Sequence, residues 1–345
     1  MNKYTKESLE FFKNLIEIPS VAGYCEKASE FIEDKVKEMG LKTYRNNKGT
    51  LFFKIDGKDN SRSKIVCAHI DTLGAMVSEI KQNGRLRVAQ IGGYAFGSVE
   101  GENCVIHTRD KKLTGTLLPD NASVHIFGDE TRYCRRDENS VEIRIDEDTK
   151  TYNDTIELGV RVGDFVTFET RTRILENGYI KSRYLDDKLC VSEIIYAVKR
   201  IIDEKIIPDM DTVFVISENE EIGHGISGLP TNSCEILAVD IGTVGGSRTS
   251  DEKKVTIAAK DSRTPYPYKF RRKLEEICEE SNIDYVTDVL IRYGSDASVS
   301  VCQGMDLLFG CIGPGVDATH HYERTHIDAH ENTMELVYHY IKGVL

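Results

Sequence analysis

Short apolar runs that each end in acidic residues or a histidine constrain this chain more than any other feature. Ile65-Val66-Cys67-Ala68 leads into His69-Ile70-Asp71, Val213-Phe214-Val215-Ile216 leads into Glu218, Glu220 and Glu221, and Ile236 to Val239 leads into Asp240. Continuous apolar runs of this length suit strands buried on both faces. Around them the period changes to that of amphipathic helices. Leu9, Phe12, Leu15 and Ile16 recur at helical spacing, as do Ala28, Phe31, Ile32 and Val36, with Gly40 where a helix C-terminus wants it. Leu51-Phe52-Phe53 adds a strand, and Ile194, Ile195, Val198, Ile201 and Ile202 add a helix. A further helix is expected over about Lys269 to Ser281, strands near Val289 and at Leu307 to Phe309, and a last helix after Asp328. The pattern predicts an α/β sheet covered by helices on both faces.

From about Ile80 to Ile180 the pattern differs. Arg85 to Val88, Val141 to Ile145 and Phe165 to Phe168 alternate with period two, are separated by Gly, Asp and Asn, and carry no long helical period. That predicts an all-β insertion, 80–180, interrupting an α/β domain made from 1–79 and 181–345. A length of 345 residues leaves room for both, since a domain takes roughly 150.

The charge balance narrows the partners. A formal net charge of −12 without a basic block argues against nucleic acid and against a membrane surface. No apolar run approaches the roughly 18 residues of a spanning helix. MNKYTKESLEFF has no apolar stretch after its lysines, so no secretory signal is expected. The nine cysteines are irregularly spaced and form no C-x-x-C pair, which predicts reduced, buried thiols in a cytoplasmic protein rather than a disulfide framework or zinc ribbon.

Chemistry concentrates at the strand ends, where α/β sheets bind ligands. His69 and Asp71 project from the same side of an extended strand, so Asp71 could hold the imidazole's second nitrogen or ligate an ion itself; a hydrogen-bonded strand-end histidine is the plain alternative. Asp186-Asp187 alone would read as a helix cap. Glu220 and Glu221 are bordered by apolar residues and, being adjacent, point in different directions, so one can bind a cation while the other stays free as a base. Asp240 could also simply end its strand in an Asx-turn. Thr319 to His326 holds three of the nine histidines, although a polar loop with Thr325 or Asp328 as N-cap would account for it too. Taken together, imidazole plus several carboxylates suit two zinc-like or cobalt-like ions better than a thiolate site. No G-x-S-x-G elbow, P-loop or G-x-G-x-x-G is found, which leaves a serine nucleophile and nucleotide binding without support.

AHID, LDD, SENEEIG, VDIG, YGSDAS and a His-rich segment before the last helix, in that order, resemble the tetrahedral-aminopeptidase family of dinuclear metallopeptidases. The resemblance covers nearly the whole chain. It implies a mixed-sheet zinc-peptidase domain, helices on both faces, with an inserted all-β barrel-like domain serving oligomerisation or site access. It further implies two divalent metal ions, Zn or Co with Mn an alternative, and a water they activate. His69, Asp186, Glu221, Asp240 and His320 would be ligands, with Asp186 bridging; Glu220 would be the general base, Asp71 would orient His69, and Asp296 would line the substrate site. Peptide substrates and a homo-oligomer, up to a dodecamer, follow from the same resemblance.

Three motifs depart from the family's pattern. Thr72 replaces the Glu of AHxDE, DDKLC replaces DDRxG through Lys188 and Cys190, and THHYERTH stands for HSxxE. His320 is preferred as last ligand because Glu323 follows it as in the family, with His321 and His326 as alternatives. The competing readings are a related metal-dependent deacylase, a glycosidase built on Glu218 and Glu220 and needing no metal, and a binding protein that has lost the site.

Overall fold

The computed structural model describes residues 2–343. Two compact units are present: Thr72–Thr170 forms one, and the chain on either side of it forms the other.

The larger unit is built on a twelve-stranded mixed sheet. At its centre Asp59–His69 runs parallel to Met210–Ser217 on one side and to Ser233–Val239 on the other, and Leu308–Asp317 continues the parallel set. Leu51–Ile55 closes one flank antiparallel. All of Met210–Ser217 is buried, as is the Ser63 to His69 stretch of Asp59–His69, so these strands read as unbroken apolar runs. Alternation assigns their side chains to two faces. Ile65, Cys67, Val213, Val215, Ile236 and Ala238 pack with Ala297 of the helix Asp296–Cys302. On the other side the helix Leu185–Asp203 packs on the Asp59–His69 strand and against the helices Lys3–Ile16 and Ile327–Lys342. Leu185 to Val198 is buried throughout, which explains why this helix looks apolar on every side in sequence.

The elements match the expected α/β pattern of helices on both faces, with small shifts at the ends. The second helix stops at Glu38, and Gly40 takes a φ of +82°, the left-handed conformation that ends helices. The last helix starts at Ile327, and its N-cap is His326, whose Nδ1 accepts from the Asp328 amide at 3.1 Å. The N-cap is therefore neither Thr325 nor Asp328. An imidazole nitrogen can fill that role, but propensity reasoning ranks it below the hydroxyl and carboxylate.

The smaller unit is a closed six-stranded antiparallel barrel, Gly74–Ile80, Leu86–Ile91, Val141–Ile145, Lys112–Pro119, Asn103–His107 and Phe165–Phe168 in spatial order. Val77, Val88, Ile106, Leu117, Ile143 and Val166 fill its interior. Its bounds fall earlier than the 80–180 drawn from sequence. Gly74–Ile80 belongs to the barrel, whereas Arg173–Ile174 and Tyr179–Ser182 join the large sheet. A barrel strand and a sheet strand carry the same apolar alternation, so no change of composition marks the crossing.

Gly313, in the Leu308–Asp317 strand, shows how tightly the large sheet is packed beside Asp240. A Cβ there would come within 1.3 Å of the Asp240 carbonyl oxygen, next to the bond the Asp240 amide donates to Ile312 O at 2.8 Å. Gly313→Ala is expected to cost about 3 kcal/mol, read as a lower denaturation midpoint. An unchanged midpoint would show that the strands can move apart.

Candidate active site

Three parallel strands end side by side, and each delivers a polar group at its carboxyl end: His69 and Asp71, then Glu220 and Glu221 just past Ser217, then Asp240. The start of the Leu185–Asp203 helix adds Asp186 and Asp187. Both have non-helical dihedrals and are joined by a cis peptide bond. They do not act as a cap. Instead Asp187 Oδ2 accepts from the His69 amide at 3.0 Å.

Asp186 lies between two imidazoles. Its Oδ1 is 3.2 Å from His69 Nε2, and its Oδ2 is 3.4 Å from His320 Nε2. His320 Nε2 is also 3.5 Å from Glu221 Oε2, while Glu220 Oε2 lies 3.9 Å from His69 Nε2. The adjacent glutamates thus face different imidazoles. His69 Nδ1 is 3.0 Å from the Asp71 carbonyl oxygen, which fixes the ring and leaves Nε2 for the site. The Asp71 carboxylate stays beside the same nitrogen, with Oδ1 3.5 Å from His69 Nδ1, while its two oxygens also accept from the Glu220 amide at 3.0 Å and the Glu221 amide at 3.1 Å.

Of the three clustered histidines, only His320 reaches these carboxylates among the described contacts. His321 Nδ1 accepts from the Tyr322 amide, and His326 Nε2 meets Asn177 O at 3.0 Å. His320 is held by Glu323, whose Oε1 accepts from the His320 amide at 3.1 Å and whose Oε2 accepts from the Asp186 amide at 3.2 Å. In sequence Glu323 offers only a spacing match to His320. The Tyr293 side chain acts on the Asp240 carboxylate to hold its proton affinity down, and a tyrosine in a loop offers no signal of its own in sequence. Asp240 Oδ1 also accepts from the Ile241 amide at 2.6 Å. Asp296 is 3% exposed, and both its oxygens are engaged inside the chain, by Ser217 Oγ and by the Ile226 amide. Lys188, at the departure from DDRxG, is buried and donates to the carbonyls of Leu15 and Ile18 at the end of the first helix; burial pushes its ammonium down to about 7.

Charge is poorly balanced here. Burial, reinforced by Asp186, pushes Glu221 up to about 8, and the same two causes take Asp240 to about 7. Burial also raises Glu220 and Asp187 well above the carboxylate range, with Asp240 adding to both. Burial alone would raise Asp186 too, but its bonds to His320 and His69 outweigh it and hold the group low. Asp187 Oδ1 and Glu221 Oε1 are buried without a hydrogen-bond partner. His69, Asp186 and Glu221 bring ligand atoms within 4.8 Å of one another, and so do His69, Asp187 and Asp240. Buried carboxylates with unpartnered oxygens beside imidazoles fit divalent cations. Glu218, the partner a glycosidase would pair with Glu220, is engaged instead by Ser29 Oγ and lies 3.9 Å from Arg45.

The donors gathered at the carboxyl ends of the mixed sheet are of the kind that hold divalent metal ions. Residues 49–336 match the model of the M42 glutamyl aminopeptidase family. The YhfE protein of Bacillus subtilis (strain 168) is 44% identical over 340 residues, 98% of each chain. Among solved structures, aminopeptidase APDkam598 from the archaeon Desulfurococcus kamchatkensis superposes with a TM-score of 0.88 at 20% identity, over 99% of this chain and 96% of that one. The Pyrococcus horikoshii TET1 peptidase, described as assembling into a tetrahedron or a large octahedral shell, does so with a TM-score of 0.82 at 22% identity, over 96% and 98%. The chain belongs to the M42 glutamyl aminopeptidase family. It is a hydrolase, an aminopeptidase of the metal-dependent kind.

The raised carboxylates set a pH dependence for the metal-free protein. Glu221 and Asp240 bind protons more tightly folded than unfolded, where such groups titrate near 4. Their stabilising contribution is complete below that value and is lost as pH rises through about 7 to 8. His69, also raised, acts in the same direction. Chelated protein should therefore melt at lower temperature at pH 8 than at pH 5.5, and added divalent ion should restore more stability at pH 8. Equal melting temperatures at the two pH values would contradict this.

Proposed function

We propose that this chain removes N-terminal residues from peptides through a dinuclear metal site in which Asp186 is the bridging ligand. The observation carrying the proposal is the division of the two Asp186 oxygens between His69 and His320. In this reading His69 and Asp240 would hold one ion, and Glu221 and His320 the other. Such mixed nitrogen and oxygen donors accept Zn, Co or Mn. When bound, the ions would lower the pKa of a water, polarise the scissile carbonyl and hold a free N-terminal amine.

The chain's own groups do the rest. Glu220, next to the ligand Glu221 but turned towards His69, is the general base. It takes a proton from the attacking water as the C–O bond forms and passes it to the leaving amine as the C–N bond breaks. Asp71 keeps Glu220 and Glu221 in register by accepting from both backbone amides, and it fixes His69 through its carbonyl. Glu323 ties the His320 segment to Asp186.

Assembly into a homo-oligomer belongs to the same reading, with the Thr72–Thr170 barrel as a contact or access element. The assembly described for the Pyrococcus horikoshii relative supports it. Cytoplasmic residence fits the free, mostly buried cysteines, and among the described residues no helix is long and apolar enough to cross a membrane.

Glu220→Gln should bind metal as the wild type does and lose about 10²–10⁴-fold in kcat, assayed on unblocked and N-acetylated aminoacyl and peptide substrates with Zn or Co. Near-wild-type turnover would remove Glu220 as the base. Release from acetylated substrates only, or activity that survives chelation, would overturn the aminopeptidase reading.

A further inference from the structure

Residues 217 to 226 carry Glu220 and Glu221 on a short 3-10 turn, Glu220–Ile222, which sits between two residues in left-handed conformation, Asn219 and Gly223. Such a loop has no ladder partners of its own, so its shape depends on what holds its ends. Asp296 holds both. Its Oδ2 accepts from Ser217 Oγ, the last residue of the strand, and its Oδ1 accepts from the Ile226 amide at 2.9 Å, where the loop rejoins the core. Gly225 makes room for this clamp, since a Cβ there would lie 2.6 Å from Asp296 Oδ1 and 2.9 Å from Ser217 Oγ. The carboxylate is itself fixed. Ser295, just before it, caps the Asp296–Cys302 helix through reciprocal bonds with Ser298, and Ser295 Oγ lies 2.9 Å from the Tyr266 hydroxyl.

We propose that Asp296 is a positioning residue that clamps the 217–226 loop and so aims Glu220 and Glu221, rather than a residue that touches substrate. This rests on the assignment of Glu220 and Glu221 made above. The geometry supports it in two ways: both oxygens are already engaged within the chain, and the side chain is 3% exposed. Asp71 holds the middle of the loop and Asp296 its ends, so the two carboxylates restrain different parts of one segment.

The test compares Asp296→Ala, Asp296→Asn and Ser217→Ala in the full-length, Zn-loaded protein. Readouts are kcat and KM on an unblocked aminoacyl p-nitroanilide, together with hydrogen–deuterium exchange of residues 217–226. Asp296→Ala should lower kcat about 10–100-fold with KM little changed, and should speed exchange in that segment. Asp296→Asn should recover most of both, because its amide oxygen still accepts from Ile226 and its NH2 group can donate to Ser217. Ser217→Ala, which removes one arm only, should fall between them and covers the case in which the alanine variant does not fold. A higher KM at unchanged kcat, with exchange as in the wild type, would overturn the proposal in favour of substrate contact. Asparagine no better than alanine would overturn it too, since the charge rather than the clamp would then matter. Exchange is read without turnover, so a failed Glu220 assignment and a failed clamp give different results.

Discussion

Asp186, Asp187, Glu220, Glu221 and Asp240 crowd into a largely buried space where water screens them poorly, and like charges so placed resist ionising together unless cations join them. Everything around the site follows from that repulsion. The imidazoles of His69 and His320 hold Asp186 ionised, while burial pushes the carboxylates without such partners upward. The unpartnered oxygens of Asp187 and Glu221 are where an unmet demand for positive charge shows directly. A site of this kind gains from metal what it loses in desolvation, which links its folding stability to its chemistry.

Keeping such groups together requires a frame that does not relax them apart. The parallel strands provide it, because their ends are spaced by backbone hydrogen bonds rather than by side chains. Close packing behind the site does the same. Gly313 lets the Leu308–Asp317 strand press against the Asp240 backbone, and the Lys188 ammonium ties the start of the Leu185–Asp203 helix to the end of the first helix. Lys188 satisfies those carbonyls from a buried position and so anchors the helix start there.

Much of this was legible in the sequence, because strand-end chemistry leaves a linear trace. An apolar run followed at once by His69-Ile70-Asp71, or by Asp240, places a group at a strand's carboxyl end without any tertiary information. What was not legible depends on backbone shape. The choice among His320, His321 and His326 turns on left-handed conformations at Ala318 and His320, with φ near +56° and +59°, and neither residue advertises them. Asp296 reads as a loop carboxylate; that both its oxygens face inward follows from the path of residues 217–226, which spacing does not encode. The barrel's bounds were misplaced because strands of both units share one alternation. Glu218 shows the converse. It looked equivalent to Glu220 in sequence, but it lies before the turn and faces Ser29 instead.

The central claim is that one carboxylate, Asp186, serves two ions at once. Anomalous diffraction from Zn-loaded crystals tests it most directly. The account predicts two peaks per chain, one between His69 and Asp240 and the other between His320 and Glu221, with an Asp186 oxygen on each. A single peak, or two peaks of which only one contacts Asp186, would contradict it.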